Sequence, residues 1–153
     1  MKISTRVRYG TRAMAALAVA YPEKAVSVKL IAQKQRLSAK YLEQIMAALK
    51  GAGLIKVVRG GRGGYMLSRD PATITLMEVY HALEGALCLV DCLDHSGSCE
   101  MTDACPTKDT WREMTEALQE ILRRTTIQDL EERQRQKNSA EESTYYEESM
   151  YYI

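Results

Sequence analysis

No apolar run in this 153-residue sequence is long enough to span a bilayer. That excludes a membrane-crossing helix and any membrane partner that depends on one. The segment 1–10 has basic residues but no apolar core followed by a small-residue cleavage site, so no secretory signal is expected and the cytoplasm is the expected location. No cysteine occurs outside residues 88–105, whereas the disulfide framework of a small secreted domain spreads its cysteines along the chain. The close C-x2-C pair that structural zinc prefers is absent. Also absent are a nucleophile–base pair and a nucleotide loop: the glycine run at 60–64 lacks the GxxxxGK[ST] spacing, and no helix begins directly after it. An enzyme or an electron carrier is therefore not expected. No internal repeat is evident, and the length fits one domain or a small domain with an appended element.

What the sequence does contain is divided by charge. Residues 1–80 carry 14 Lys and Arg against 4 Asp and Glu, a net +10; residues 81–153 carry 7 against 16, a net −9. The overall charge of +1 conceals this division. A basic half joined to an acidic half points the first half at a polyanion, the alternative being two solvated surfaces that merely differ.

Apolar spacing places the elements. Residues 6–20 read as a helix with Tyr9, Ala13, Ala16, Leu17 and Ala20 on one face, followed by Pro22. Ser27 is a candidate cap for a short helix to Lys34 that would bury Leu30 and Ile31. Ser38 caps a stronger helix in which Leu42, Ile45, Met46 and Leu49 recur at i, i+3, i+4 and i+7, with Gly51 and Gly53 at its end. A β-branched strand at 54–59, a glycine-rich turn at 60–64 and a return strand from Tyr65 follow. Helix, helix and hairpin in this order make a winged helix-turn-helix. Thr75 reads as the cap of a helix to Gly85, and Thr107 as the start of a long helix with the stripe Trp111, Met114, Leu118, Ile121 and Leu122. So narrow a stripe beyond the main domain suits a partner helix in a homodimer, with folding back on its own domain as the alternative. Thr126 heads a short helix at 127–130, and from Gln134 the chain reads as a polar, tyrosine-bearing tail.

The expected fold class is thus mostly α with a small β-hairpin, a winged helix-turn-helix domain plus a long dimerisation helix. The expected divisions are a DNA-binding domain at 1–85, a cysteine loop at 86–106, the dimerisation region at 107–136 and a flexible polar tail at 137–153.

The helix opened by Ser38 has an outward face of Lys40, Tyr41, Glu43, Gln44 and Lys50. An apolar side that docks and a mixed polar side that enters the major groove are what a recognition helix needs. Gln44 can pair with adenine and Glu43 can accept from the cytosine amino group, while Glu43 repels phosphate and so favours discrimination over affinity. At the hairpin, Arg59 and Arg62 flank glycines whose small size suits a thin wing in the narrow minor groove. The expected partner is double-stranded DNA with a pseudo-palindromic operator, matching two-fold protein symmetry.

The loop carries Cys92-x6-Cys99-x5-Cys105 followed by Pro106. Thiolates are soft, charged ligands for iron clusters and zinc, and three well-separated ones wrap an iron–sulfur cluster more naturally than a single zinc ion. A fourth ligand is unassigned: Cys88 and His95 are the local candidates, and Asp94 and Asp103 are weaker ones. A thiol switch, a zinc site and inert cysteines are the alternatives.

The segments "MKISTRVRYGTRAM", "LSAKYLEQI", "GLIKVVRGGRGGYMLSRDP" and "CLDHSGSCEMTDAC", with Trp111 downstream, resemble the IscR/NsrR-type regulators, winged-helix dimers many of which sense iron–sulfur status, nitric oxide or redox state. The likeness runs from Met1 to about Gln134. It implies DNA contacts from Ser38, Lys40, Tyr41, Glu43 and Gln44, a minor-groove role for Arg59, and cluster ligation by Cys92, Cys99 and Cys105. Glu43 matches a glutamate through which the cluster governs DNA-site choice. The expected cofactor is an iron–sulfur cluster, 2Fe–2S ahead of 4Fe–4S. Two positions depart from the family: Lys108 stands where a histidine ligand is found in some members, and Arg8 where others recruit an acidic residue from the partner chain. The first cysteine gap is also one residue longer. Members without a cluster exist, so the same fold under thiol, zinc or partner-protein control stays open.

Overall fold

The structure, a computed structural model, describes residues 2–61, 63–94, 99–101 and 104–150, with side chains through 139 apart from that of Asp94. Helix α1 (Thr5–Ala18) begins where the Ser4 hydroxyl accepts from the Val7 N–H at 3.1 Å, and it buries Val7, Ala13, Met14 and Leu17. Helix α2 (Val28–Gln35) is capped in the same way by Ser27 and ends at Arg36, which takes the left-handed conformation at φ 54°. Helix α3 (Ala39–Gly51) follows the Ser38 cap, and its Leu42, Ile45, Met46 and Leu49 are all fully buried, as the spacing requires.

Strands β1 (Ile55–Val58) and β2 (Gly64–Leu67) pair antiparallel with Ile55 opposite Leu67 and Val58 opposite Gly64. Val26, in the connection between α1 and α2, adds a third edge: its N–H and C=O each bond Tyr65 at 2.8 Å. The wing is thereby fastened to the helical body. Asp70 caps a 3-10 turn at Pro71–Thr73, and α4 (Leu76–Glu84) opens on a complete capping box between Thr75 and Glu78. A short helix α5 (Asp91–Asp94), the long α6 (Lys108–Arg124) and α7 (Ile127–Met150) complete the chain.

The arrangement is mostly helical with a two-stranded antiparallel sheet, as expected for a winged helix-turn-helix with a long appended helix. One core gathers α1, α2, α3, α4, both strands and Ile74, and it also takes in Ile127, fully buried at the start of α7. Two backbone bonds, Leu76 N–H to Thr125 C=O at 2.8 Å and Ile127 N–H to Ile74 C=O at 2.9 Å, tie the α6–α7 connection to the start of α4. The segment around 125–130 therefore packs with the start of α4 and shares its core.

Three local readings differ from the structure. Leu30 is 43% exposed, because the eight-residue α2 turns only Ile31 and Ala32 inward. Tyr41 is half-buried rather than turned outward, its ring meeting that of Tyr9 edge-on at 6.1 Å. The short helix of 127–130 and the polar tail beyond it form one helix to Met150. Residues 127–150 contain neither Gly nor Pro, and Thr126 and Asp129 cap their start reciprocally at 2.7 and 3.2 Å, so a nucleated helix can propagate.

Candidate nucleic-acid interface and cysteine loop

The buried face of α3 determines what the opposite face offers. With Leu42, Ile45, Met46 and Leu49 docked, Lys40, Glu43 and Gln44 are exposed, as is Ser38, whose hydroxyl accepts from the Tyr41 N–H at 3.5 Å. Tyr41 stands at the edge of this row and against Tyr9 of α1. Strand β1 packs on α3, so the hairpin rises beside the recognition-helix candidate. Arg59 lies exposed at the end of β1, next to a tight turn closed by the Gly63 N–H to Gly60 C=O bond at 2.9 Å. Arg62 lies outside the described residues. The structure thus brings Ser38, Lys40, Glu43, Gln44 and Arg59 onto the exposed parts of neighbouring elements.

Arg12 of α1, which the sequence does not mark as a site residue, adjoins this surface together with Tyr9. The Arg12 guanidinium donates from Nε to Gln35 Oε1 and from a terminal nitrogen to the Gln35 carbonyl, both at 2.8 Å, and it sits 5.8 Å from the Tyr9 ring centroid. Nothing in local spacing announces a contact between residues 23 positions apart.

In the cysteine loop none of the four cysteines is in a disulfide. Cys88 is half-buried and its thiol donates to the Val90 carbonyl at 3.2 Å; Cys92 is half-buried on α5; Cys99 is exposed. Cys105 lies at the head of α6, with Sγ 3.3 Å from Thr107 Oγ1, which accepts from Trp111 Nε1 at 3.1 Å. Hydrogen bonds from the Thr107 hydroxyl and backbone, with smaller help from Lys108, hold the Cys105 thiol below its ordinary value. Further along α6, Gln119 Nε2 donates to the Leu87 carbonyl at 2.9 Å and pins the entry to the loop.

His95 and Asp103, with the side chain of Asp94, lie outside the described residues. Among the described residues no three His, Cys, Asp or Glu side chains gather as metal ligands. By donor chemistry, Cys92, Cys99 and Cys105 suit an iron–sulfur cluster, but they supply only three ligands. At the two positions where the resemblance implies a fourth ligand the chain has Lys108 and Arg8, neither of which carries a thiol, imidazole or carboxylate. The donor set fits a cluster in part; the described geometry does not assemble it.

On α6 the stripe is partly covered, with Leu118 and Leu122 half-buried. Trp111, Met114 and Ile121 are 37%, 46% and 47% exposed, and the helix itself buries only Thr115. No helix among the described residues is long and apolar enough to cross a membrane.

Comparison with known proteins agrees with this architecture. The family model Rrf2, described as an iron-dependent transcriptional regulator, matches residues 3–133. The HTH-type transcriptional regulator CymR of Bacillus subtilis (strain 168) is 40% identical over 131 residues, covering 85% of this chain and 89% of that protein. The solved structure of CymR, the global cysteine regulator of B. subtilis, superposes with a TM-score of 0.74 at 37% identity, over 86% of this chain and 97% of that one. The structure of T. potens IscR gives a TM-score of 0.71 at 38% identity, over 85% of each chain. These relatives are transcriptional regulators, a non-enzymatic class, and they divide between a cysteine regulator and IscR. The chain belongs to the Rrf2 family of DNA-binding transcriptional regulators.

Proposed function

We propose that the protein binds a pseudo-palindromic operator as a homodimer in the cytoplasm, with α3 in the major groove and the β1–β2 wing in the adjacent minor groove. Ser38, Lys40, Glu43 and Gln44 would face the major groove with Tyr41 at the edge of that row; Arg59, with Arg62, would serve the minor groove. The observation that carries this reading is the division of α3: four apolar residues fully buried, with Lys40, Glu43 and Gln44 exposed beside a hairpin that bears Arg59. The net +10 of residues 1–80 gives this half the sign that a phosphate backbone attracts. The exposed stripe of α6 supports the homodimer, because three large apolar side chains on one helix favour a covering partner.

The test is a gel shift against the promoter region of the protein's own gene. Arg59→Ala should weaken binding by about 1–3 kcal/mol if the arginine reads a base or a narrow groove. Unchanged affinity at fixed salt removes the wing from the reading.

The cysteine loop is the regulatory input. In the first reading Cys92, Cys99 and Cys105 hold an iron–sulfur cluster, with Cys88 or His95 as a fourth-ligand candidate. Such a cluster, when bound, supplies a centre labile to oxygen and nitric oxide. Three soft thiolates within one loop and the iron dependence named for the family support it. Iron and sulfide in anaerobically purified protein, lost on replacing any of the three cysteines with Ala, would bear it out; colourless protein free of both would end it. The second reading is control through the thiols alone. It is favoured by the absence of a gathered ligand set among the described residues and by the thiolate-stabilising contact at Cys105. It requires operator affinity to change reversibly with oxidant and reductant in iron-free, zinc-free protein.

A further inference from the structure

We infer that Arg12 is a positioning residue for DNA recognition, setting the angle at which α3 is presented without itself contacting a base. The inference rests on the reading of α3 as the groove-entering helix. A continuous line of contacts supports it. The last carbonyl of α2 belongs to Gln35, and helix-end carbonyls lack an intrahelical donor. The guanidinium supplies one: it bonds that carbonyl and the Gln35 side-chain oxygen together, both at 2.8 Å. It also sits 5.8 Å from the Tyr9 ring centroid, within cation–π range. The Tyr9 ring in turn meets Tyr41 at 6.1 Å with the planes 79° apart, an edge-to-face pair.

Gln35, Arg12, Tyr9 and Tyr41 thus join the end of α2 to the first turn of α3 by a route through α1. That route bypasses the connecting turn of the helix-turn-helix. The turn needs such support, because Arg36 holds a positive φ of 54° that residues with a Cβ adopt at a cost. Lys40, Glu43 and Gln44 project from the helix whose start this line fixes. Two of the arginine's five N–H groups are engaged with Gln35, and the salt dependence of binding tests whether the remaining three meet phosphate. Lysine carries the same charge but not the planar fork, so it cannot make both bonds in that geometry.

The experiment uses the full chain and two probes: a duplex of the sequence that the wild type enriches from a random pool, and a scrambled duplex of equal length. Arg12→Lys should weaken the selected duplex about tenfold and leave the scrambled one unchanged, with the slope of log affinity against log salt preserved. Gln35→Glu keeps the acceptor and adds a negative charge; it should stay within about twofold of wild type on the selected duplex. Equal losses on both duplexes would overturn the inference, since they report charge or folding rather than alignment. So would a slope reduced by about 0.9, the mark of a lost phosphate contact. Wild-type behaviour of Arg12→Lys, or a tenfold loss in Gln35→Glu, would overturn it as well. Gln44→Ala separates the two levels. If it lowers selectivity while Arg12→Lys does not, only the positioning inference fails; if neither does, or the wild type enriches no sequence, the α3 reading fails with it.

Discussion

Gly64 opens β2 at the point where the wing meets the body of the domain. A Cβ built there would lie 2.5 Å from the Val26 oxygen, 2.6 Å from the Val26 carbonyl carbon and 2.9 Å from the Ser27 nitrogen. All three are backbone atoms, so no side chain can swing aside. In Gly64→Ala the 26–27 backbone must retreat, and the two 2.8 Å bonds between Val26 and Tyr65 are the contacts that stretch. At about 0.5–1.5 kcal/mol net for each bond, the loss is about 1–3 kcal/mol. Alanine returns about 0.4–1 kcal/mol by restricting the unfolded chain, which leaves up to roughly 2.5 kcal/mol of destabilisation. For a chain of this size that lowers Tm by up to roughly 10 °C. Gly61→Ala is the control, because a Cβ there meets nothing within 4 Å. Circular-dichroism melts compare the variants, and hydrogen exchange follows the Val26 and Tyr65 amides. The reasoning is refuted if Gly64→Ala melts with Gly61→Ala while both amides keep their protection.

Three other expectations follow from the same geometry. Burial pushes the Glu78 carboxyl up, but the Thr75 N–H, the Arg69 guanidinium and the Thr75 hydroxyl together outweigh it, so its value falls below the ordinary 4.5. A depressed carboxylate stabilises the fold above its ordinary value and loses that contribution as pH falls through the folded one; Glu78→Gln should therefore flatten the acid limb of a Tm–pH curve, and an unaltered limb would count against the assignment. Ile121 is 47% exposed, so covering it in a dimer would gain about 1 kcal/mol per copy; Ile121→Glu should raise the dimer dissociation constant about thirtyfold or more by sedimentation equilibrium, and an unchanged constant would remove α6 as the seam. Ser38→Ala should cost about 0.5–1 kcal/mol, the low end for a cap because its bond is 3.5 Å long, and Ser38→Thr should restore stability in denaturant titrations.

The parts of the fold legible from sequence are those specified by short-range chemistry. Leu42, Ile45, Met46 and Leu49 mark a helical face by their spacing alone, and Ser38 marks its start. Thr75 and Glu78 have the three-residue separation of a capping box, and both of its bonds form. Contacts that close over long separations leave no such trace. Val26 gives no strand signal, since it contributes a single bridge to Tyr65. Tyr41 falls on the polar side of its helix by periodicity, but its ring is long enough to reach back to Tyr9. The length of α7 was hidden for another reason: residues beyond Gln134 lack an apolar face and so read as tail, although their composition contains no helix breaker. At the candidate site, the polar row of α3 and the arginine of the wing were visible as residue types. Arg12 was not, because its partner lies on another helix.

Contacts over long separations also tie the end of α6 and the start of α7 to the start of α4. Thr75 accepts two duties: it caps α4 through Glu78, and it faces Thr126 across an antiparallel bridge. Glu78 also holds Arg69, which follows β2 at the exit from the wing and bonds the Thr73 carbonyl at 3.3 Å. At the other side of α4, Gln119 of α6 holds the Leu87 carbonyl, a single residue before Cys88. Helix α6 therefore has Cys105 at its head, the entry to the cysteine loop held by Gln119 and the start of α4 bonded just past its end. A tilt of α6 must either break the Leu76–Thr125 and Ile127–Ile74 bonds or take the start of α4 with it, and Arg69 is fastened to that start. The wing base and the exposed stripe of α6 are thus joined through backbone bonds and one carboxylate, without passing through α3.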